Sequence, residues 1–183
     1  AGQANGDGCQ AFSQNVPQPD DPTVYRRMGV AFAFLLTVRG LPVIYYGDEF
    51  GMAGVKDPDN RRPMIFESSP LSPSQIELRD LVSRLNHARQ TYAVLRTGKY
   101  DAFYGESSCL AYVKSASGEI PVLAVLAGNR GCDASIEMKP GYGLDDGTRL
   151  QDILWGQDTL TIANSRIQVH LAPFDVRLFV PSN

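Results

Sequence analysis

The sequence predicts an α/β segment followed by an all-β domain. Two helix starts, Asp21-Pro22 and Ser72-Pro73-Ser74-Gln75, bracket one continuous apolar run, Leu41 to Tyr46. After Gly98 the character changes, and short runs of β-forming residues alternate with turn residues. The chain therefore divides into residues 1–95 and residues 96–183.

Residues 1–21 are polar and loop-like, and Asn5-Gly6-Asp7-Gly8 has turn chemistry. Asp7 is a single acid in a Gly-rich turn and reads as part of that turn rather than as a metal ligand. Asp21 then caps a helix with proline at its first position, which is predicted to run to about Val38. Its second half is apolar nearly all round, which implies cover on more than one side. Arg39-Gly40 ends it. Leu41 to Tyr46 shows no alternation and lies between Gly40 and Gly47, the pattern of a parallel-sheet strand covered on both faces. A polar loop follows, to about Pro70.

Ser72, Pro73 and Gln75 form the signature of a capping box. Leu78, Leu81, Val82 and Leu85 then give an apolar stripe at helical spacing, so a second helix should reach about Thr91. Beyond it, strands are expected at Cys109–Lys114, Pro121–Ala127, Ala134–Met138, Thr148–Trp155, Thr159–Ala163, Arg166–Leu171 and Val176–Val180. In Arg166–Leu171, Ile167, Val169 and Leu171 alternate with Arg166, Gln168 and His170, a strand with one wet face. Such spacing suggests an antiparallel β-sandwich able to form its own core.

Composition narrows the partners. Of 183 residues 43% are hydrophobic, which suits a packed core. Acidic residues outnumber Lys and Arg by 20 to 17, so a nucleic-acid backbone is not an expected partner. The longest apolar stretch, Gly29 to Val38, falls short of the ~20 residues that span a bilayer, so no membrane is expected. The three cysteines, Cys9, Cys109 and Cys132, have no metal or redox spacing. One disulfide with a free thiol and three idle thiols both fit; for Cys109 and Cys132 the expectation is no required disulfide, because the β-formers suffice for a core. Ala1 lies in a Gly/Asn/Gln-rich stretch that reads as mid-loop, so the chain reads as the C-terminal portion of a longer protein.

The loop after Leu41–Tyr46 carries Tyr45, Tyr46, Asp48, Glu49, Asp57, Asp59, Asn60, Arg61 and Arg62. Acids, amide, guanidinium groups and aromatic faces together suit a polyhydroxy ligand. They equally suit a structural loop in which Arg61 or Arg62 pairs with Asp57 or Asp59. Here "GLPVIYYGDEFGM" followed by "DPDNRRPM" resembles the eighth strand and following loop of the α-amylase family of glycoside hydrolases. The likeness runs over roughly residues 22–183, through "LRTGKY" into the β-rich tail.

That resemblance implies the last part of a (β/α)8 TIM barrel, with Leu41–Tyr46 as strand 8 between the seventh and eighth barrel helices, and a C-terminal β-sandwich. It implies retaining chemistry on an α-glucan oligosaccharide or polysaccharide, starch or maltodextrin, by a nucleophilic carboxylate and an acid/base carboxyl. By the same resemblance both lie upstream of Ala1, so no catalytic residue is expected in this chain. The family's His-Asp pair is absent: His87 precedes Ala88, and His170 sits on the wet face of a strand; both read as surface residues. Glu49 reads as an orienting or packing carboxylate. Asp57 and Arg61 match family positions that hydrogen-bond glucose units on the non-reducing side of the cleaved bond, with Tyr46 and Asp48 as further substrate-binding candidates. Alternatives within the family are a transglycosylase or isomerase; outside it stands a non-catalytic glucan-binding scaffold. No cofactor is expected in this chain, and calcium, common in the family, would be held upstream. A starch-directed enzyme would be secreted or periplasmic, and one acting on short maltodextrins cytoplasmic.

Overall fold

The computed structural model describes residues 16–106, 108–156 and 158–182. Asp7, its turn cluster and Cys9 lie outside them. Three helices, α1 (Pro22–Thr37), α2 (Pro73–Thr91) and the short α3 (Val94–Thr97), precede eight strands. These are β1 (Lys99–Glu106), β2 (Cys109–Ser115), β3 (Val122–Ala127), β4 (Cys132–Glu137), β5 (Arg149–Asp152), β6 (Thr159–Thr161), β7 (Arg166–Leu171) and β8 (Val176–Ser182). No helix among the described residues is long and apolar enough to cross a membrane.

The two long helices start where their caps dictate. The Asp21 carboxylate accepts from the Thr23 amide at 2.9 Å, and Pro22 opens α1. At α2 the Ser72 hydroxyl accepts from the Gln75 amide, while the Gln75 side chain accepts from the Ser72 amide at 3.0 Å. The C-terminal end of α1 leaves carbonyls with no partner in the helix. Buried Arg89 of α2 takes up two of them, donating to Leu36 O at 2.7 Å and to Val38 O at 3.0 Å, and also donates to Leu95 O of α3 at 3.0 Å. Burial, with Arg96 nearby, pulls the Arg89 pKa down.

All strand pairs are antiparallel. One sheet has the order β1-β2-β3-β8-β5-β6, and β4 and β7 form a second. Because successive side chains point to opposite faces, β2, β3 and β8 feed two cores. Tyr112, Val122, Ala124, Leu126 and Leu178 pack with Leu36, Leu78, Val82 and Leu85 of the helices. Ala111, Val113, Leu123, Val125 and Phe179 pack with Ile136, Ile167 and Val169 of the small sheet. The sheet is thus sandwiched between helices and a hairpin-like pair, and the helix-side core crosses residue 96.

Several expectations change. Leu41–Tyr45 forms no strand among the described residues, because a strand exists only when a neighbour takes its backbone groups. Leu41 and Val43 are 90% and 81% exposed. The α1 flank at Phe34 and Leu35 is also open, so the helix is covered on fewer sides than its apolarity implies. Strand β1 was not foreseen. It is a polar edge strand whose register slips between Ala102 and Tyr104, which hides its alternation. The expected Thr148–Trp155 strand stops at Asp152, whose carboxylate accepts from the Leu154 and Trp155 amides at 2.9 and 3.2 Å and turns the chain. Cys109 and Cys132 are joined by a disulfide, with Cα atoms 4.9 Å apart, against expectation. They open β2 and β4, strands of different sheets that face each other across one core, so a sufficient core did not exclude the bond.

Candidate functional site

The loop from Tyr45 to Arg62 is built on tight turns and internal ion pairs. A single 3₁₀ turn, Asp48–Phe50, lies between Gly47 at φ +92° and Gly51 at φ +67°. Both are left-handed positions that favour glycine. The crowding agrees: a Cβ on Gly51 would meet the Tyr25 ring at 3.0 Å. Phe50 is fully buried and anchors the turn. Glu49 is half-buried, and its carboxylate accepts from the Gly47 amide at 2.7 Å. It orients the backbone, as its position suggested.

A second 3₁₀ turn, Asp59–Arg61, holds two ion pairs of different character. Arg62 binds the nearly buried Asp59 with both ends of its fork, Nε to Oδ1 at 2.7 Å and Nη2 to Oδ2 at 2.8 Å. The Asp59 Oδ2 also accepts from the Val55 amide at 3.2 Å. The Arg62 bonds hold the Asp59 carboxyl below its usual range, with burial opposing them. Asp57 and Arg61 form the second pair one turn apart, and their side chains are 64% and 61% exposed. So Arg62–Asp59 serves the loop, while Arg61–Asp57 presents a carboxylate and a guanidinium to solvent.

The other candidates lie around this pair to different degrees. The Tyr46 hydroxyl donates to Arg62 O at 3.1 Å, which ties the end of the apolar run to the second turn. Its ring tilts against that of Tyr45, with centroids 4.7 Å apart. The Tyr45 pKa is raised by burial and by its hydrogen bond to Tyr46, and both Arg61 and Asp57 act on it through space. Asp48 is exposed to solvent, yet nearby protein mass, with Glu49 adding, pushes its carboxyl up. A cleft of about 390 Å³ opens next to Tyr45 and Tyr46, lined also by Ile44, Glu49, Arg79 and Asn86, but by neither Asp57 nor Arg61. Two aromatic rings, a free-facing carboxylate and a guanidinium can hold a polyhydroxy ligand by stacking and by charge-assisted hydrogen bonds.

Two residues ahead of α1 complete the loop, and sequence reasoning missed them. Gln18 binds Gly51 and Ala53, and Val16 accepts from Arg62. No local signal marks them, since their partners lie 33 to 46 positions away. His87 is exposed, and His170 is exposed with Asp133 3.8 Å away. Among the described residues no group of three or more His, Cys, Asp or Glu is placed to hold a metal ion.

No protein-family model matches the chain. Among curated relatives, the beta/alpha-amylase of Paenibacillus polymyxa is 29% identical over 84% of this chain and 12% of its own length. Neopullulanase 2 of Thermoactinomyces vulgaris is 35% identical over 56% of this chain and 17% of its own length. Amylopullulanases and cyclomaltodextrinases also match. The chain thus spans about an eighth to a sixth of the first curated relatives it matches. The crystal structure of Ttha1563 from Thermus thermophilus superposes with a TM-score of 0.73 at 33% identity, over 86% of this chain and 31% of that one. An α-amylase from Geobacillus thermoleovorans complexed with acarbose (22% identity, TM-score 0.71) and AmyP in complex with maltose (20% identity, TM-score 0.72) share the fold. The chain is thus similar to the C-terminal region of α-amylase-family glycoside hydrolases.

Proposed function

We propose that this chain is the C-terminal portion of a retaining, α-glucan-active glycoside hydrolase that cleaves α-1,4-glucosidic bonds in starch or maltodextrins. In this reading Leu41–Tyr46 is the last strand of a (β/α)8 barrel, α1 and α2 are barrel helices, and residues 99–182 are the appended β domain. The observation that carries it is the apolar run Leu41–Tyr45, unpaired among the described residues, leading directly into a loop that carries two packed tyrosines and an exposed Asp57–Arg61 pair. A strand end followed by a polar loop is where parallel α/β barrels place their ligands.

Asp57, Arg61 and Tyr46 then contact glucose units, with Asp48 at the edge, and the chemistry comes from carboxyl groups upstream. Retaining hydrolysis needs two of them about 5–5.5 Å apart across the bond, one as nucleophile and one as acid/base. Relatives named as amylases and cyclomaltodextrinases, and neighbours solved with maltose and acarbose, support the substrate class. A neighbour named as a cyclomaltodextrin glucanotransferase, 25% identical with a TM-score of 0.67, gives transglycosylation as the second reading.

The test is Arg61→Ala in the full-length protein. It removes hydrogen bonds to the sugar and strands Asp57, so kcat/KM on maltodextrins should fall by about 1–3 kcal/mol, mostly through KM. Unchanged KM and kcat would sink the sugar-contact reading. Product analysis at high maltoheptaose separates hydrolysis from transfer, because transfer yields chains longer than the substrate.

A further inference from the structure

Gln18 makes three hydrogen bonds that close the candidate loop from behind. Its Nε2 donates to Gly51 O at 2.6 Å and to the Tyr25 hydroxyl at 2.8 Å, and its Oε1 accepts from the Ala53 amide at 2.9 Å. The orientation of the amide is fixed by its partners. A backbone carbonyl only accepts, a backbone amide only donates, and Tyr25 spends its own proton on Pro19 O at 2.6 Å. Both the donor and the acceptor end of one side chain are therefore needed at once.

These bonds sit on either side of the left-handed residue Gly51, packed against the Tyr25 ring. Two residues earlier, Val16 O accepts from Arg62 Nη2 at 2.8 Å. Residues 16–18 thus grip the loop at both ends, at Gly51–Ala53 through Gln18 and at Arg62 through Val16. Between the two grips lie Val55, bonded to Asp59, and the exposed Asp57–Arg61 pair, which no other described element holds.

We propose that Gln18 is the positioning residue for the Asp57–Arg61 pair: it fixes the Gly51–Ala53 backbone so that the pair meets its sugar in one geometry. This rests on the reading of the pair as a sugar contact. Gln18 itself touches no substrate and acts through the loop.

The experiment uses the full-length protein with Gln18→Ala, which removes all three bonds, and Gln18→Glu, which keeps the shape and the acceptor but puts a carboxylate against Gly51 O. Three quantities are measured: KM and kcat on maltoheptaose, the rate of trypsin cleavage after Lys56, and the melting temperature. Both variants should raise KM about five- to tenfold, leave kcat within about twofold, and speed the cleavage, with melting little changed. A KM unchanged in both variants, while Arg61→Ala raises it, would overturn the positioning role and leave the sugar contact standing. If Arg61→Ala also leaves KM unchanged, the sugar contact fails and this proposal with it. Failure of both variants to fold would show a structural role instead, and overturns the proposal too.

Discussion

Two apolar runs of similar composition meet opposite fates in this molecule. VLAVLA at Val122–Ala127 has strands on both edges and packed side chains on both faces. LPVIY at Leu41–Tyr45 has neither strand neighbour among the described residues, and its alternate side chains are bare. Apolarity marks a run that requires cover; it does not say which part of a chain supplies it. The β region supplies its own, through β2, β8 and the β4–β7 pair. The helix and loop region finishes its caps, its turns and its ion pairs, and leaves its one strand-like segment open. In the proposed reading the cover for this segment comes from the other strands of a barrel.

The largest effect that tests this contrast is on activity. Residues 1–183 alone should release no reducing ends from starch or maltoheptaose, whereas the full-length protein should. Leu41–Tyr45 has no partner strands among the described residues, Asp48 lies at the surface, Glu49 holds the Gly47 amide and Asp57 pairs with Arg61. Turnover by the isolated chain that Glu49→Gln or Asp57→Asn abolishes would break the contrast, since the open region would then be complete.

What could be read from the sequence follows the same division. Both helix starts were legible because capping is local: Asp21 and Ser72 bind amides two and three residues on. Arg166–Leu171 was legible to the residue because one face is wet, so burial alternates strictly. Strand β1 was not, since an edge strand with a bulge mixes Lys, Asp and Glu with aromatics. The residues left open which of Arg61 and Arg62 pairs with which of Asp57 and Asp59, and the structure pairs Arg61 with Asp57 and Arg62 with Asp59. Gln18 was not legible, because its partners are set by the path of the chain and not by a pattern. The disulfide was missed for another reason: a core sufficient without a staple does not keep two neighbouring thiols from bonding.

That disulfide sharpens the comparison next. It closes a span of 23 residues inside the β region, on the core that faces away from the helices. Cys109→Ala with Cys132→Ala should lower stability by about 3 kcal/mol, read as a lower denaturant midpoint. Trp155 is the single tryptophan and packs at the helix-side core, with Arg84 stacked 4.8 Å from its ring centre. If the two regions unfold as one through their shared core, its fluorescence should shift at the same lowered midpoint as the circular dichroism of the strands. Separate midpoints would show that the helix region is the less tied of the two.

The joint itself carries a smaller, countable contribution. Tyr112 of β2 and Thr37 at the end of α1 share a buried hydrogen bond of 2.5 Å between hydroxyls. Burial drives the Tyr112 pKa far above its ordinary value. Tyr112→Phe keeps the ring, and Thr37 keeps its bond to Ala33 O. No buried polar group is stranded, so the loss should be about 1 kcal/mol. A loss of several times that size would mean that this one bond orders the whole interface.

The smallest effect concerns how the open region holds its loop as pH falls. Arg62 holds the Asp59 carboxyl below its usual range, and burial works against it. A carboxyl depressed in the folded state stabilises that state above its unfolded pKa, about 3.9, and loses the contribution as pH falls through the folded value. The brace is therefore complete at neutral pH and released only in acid. The amide of Val55 donates to the same carboxylate, so its NMR shift in the full-length protein reports the titration directly. Its midpoint should fall below about 3.9, and Asp59→Asn should abolish that titration. The Asn variant should also be less stable than the native protein at pH 7, by a margin that closes as the pH drops through that midpoint. A midpoint at or above the ordinary carboxyl value would mean that burial outweighs the guanidinium. The Asp59–Arg62 pair would then be a cost that the loop carries, and the grip on Asp57 and Arg61 would rest on Gln18 and the buried Phe50 instead.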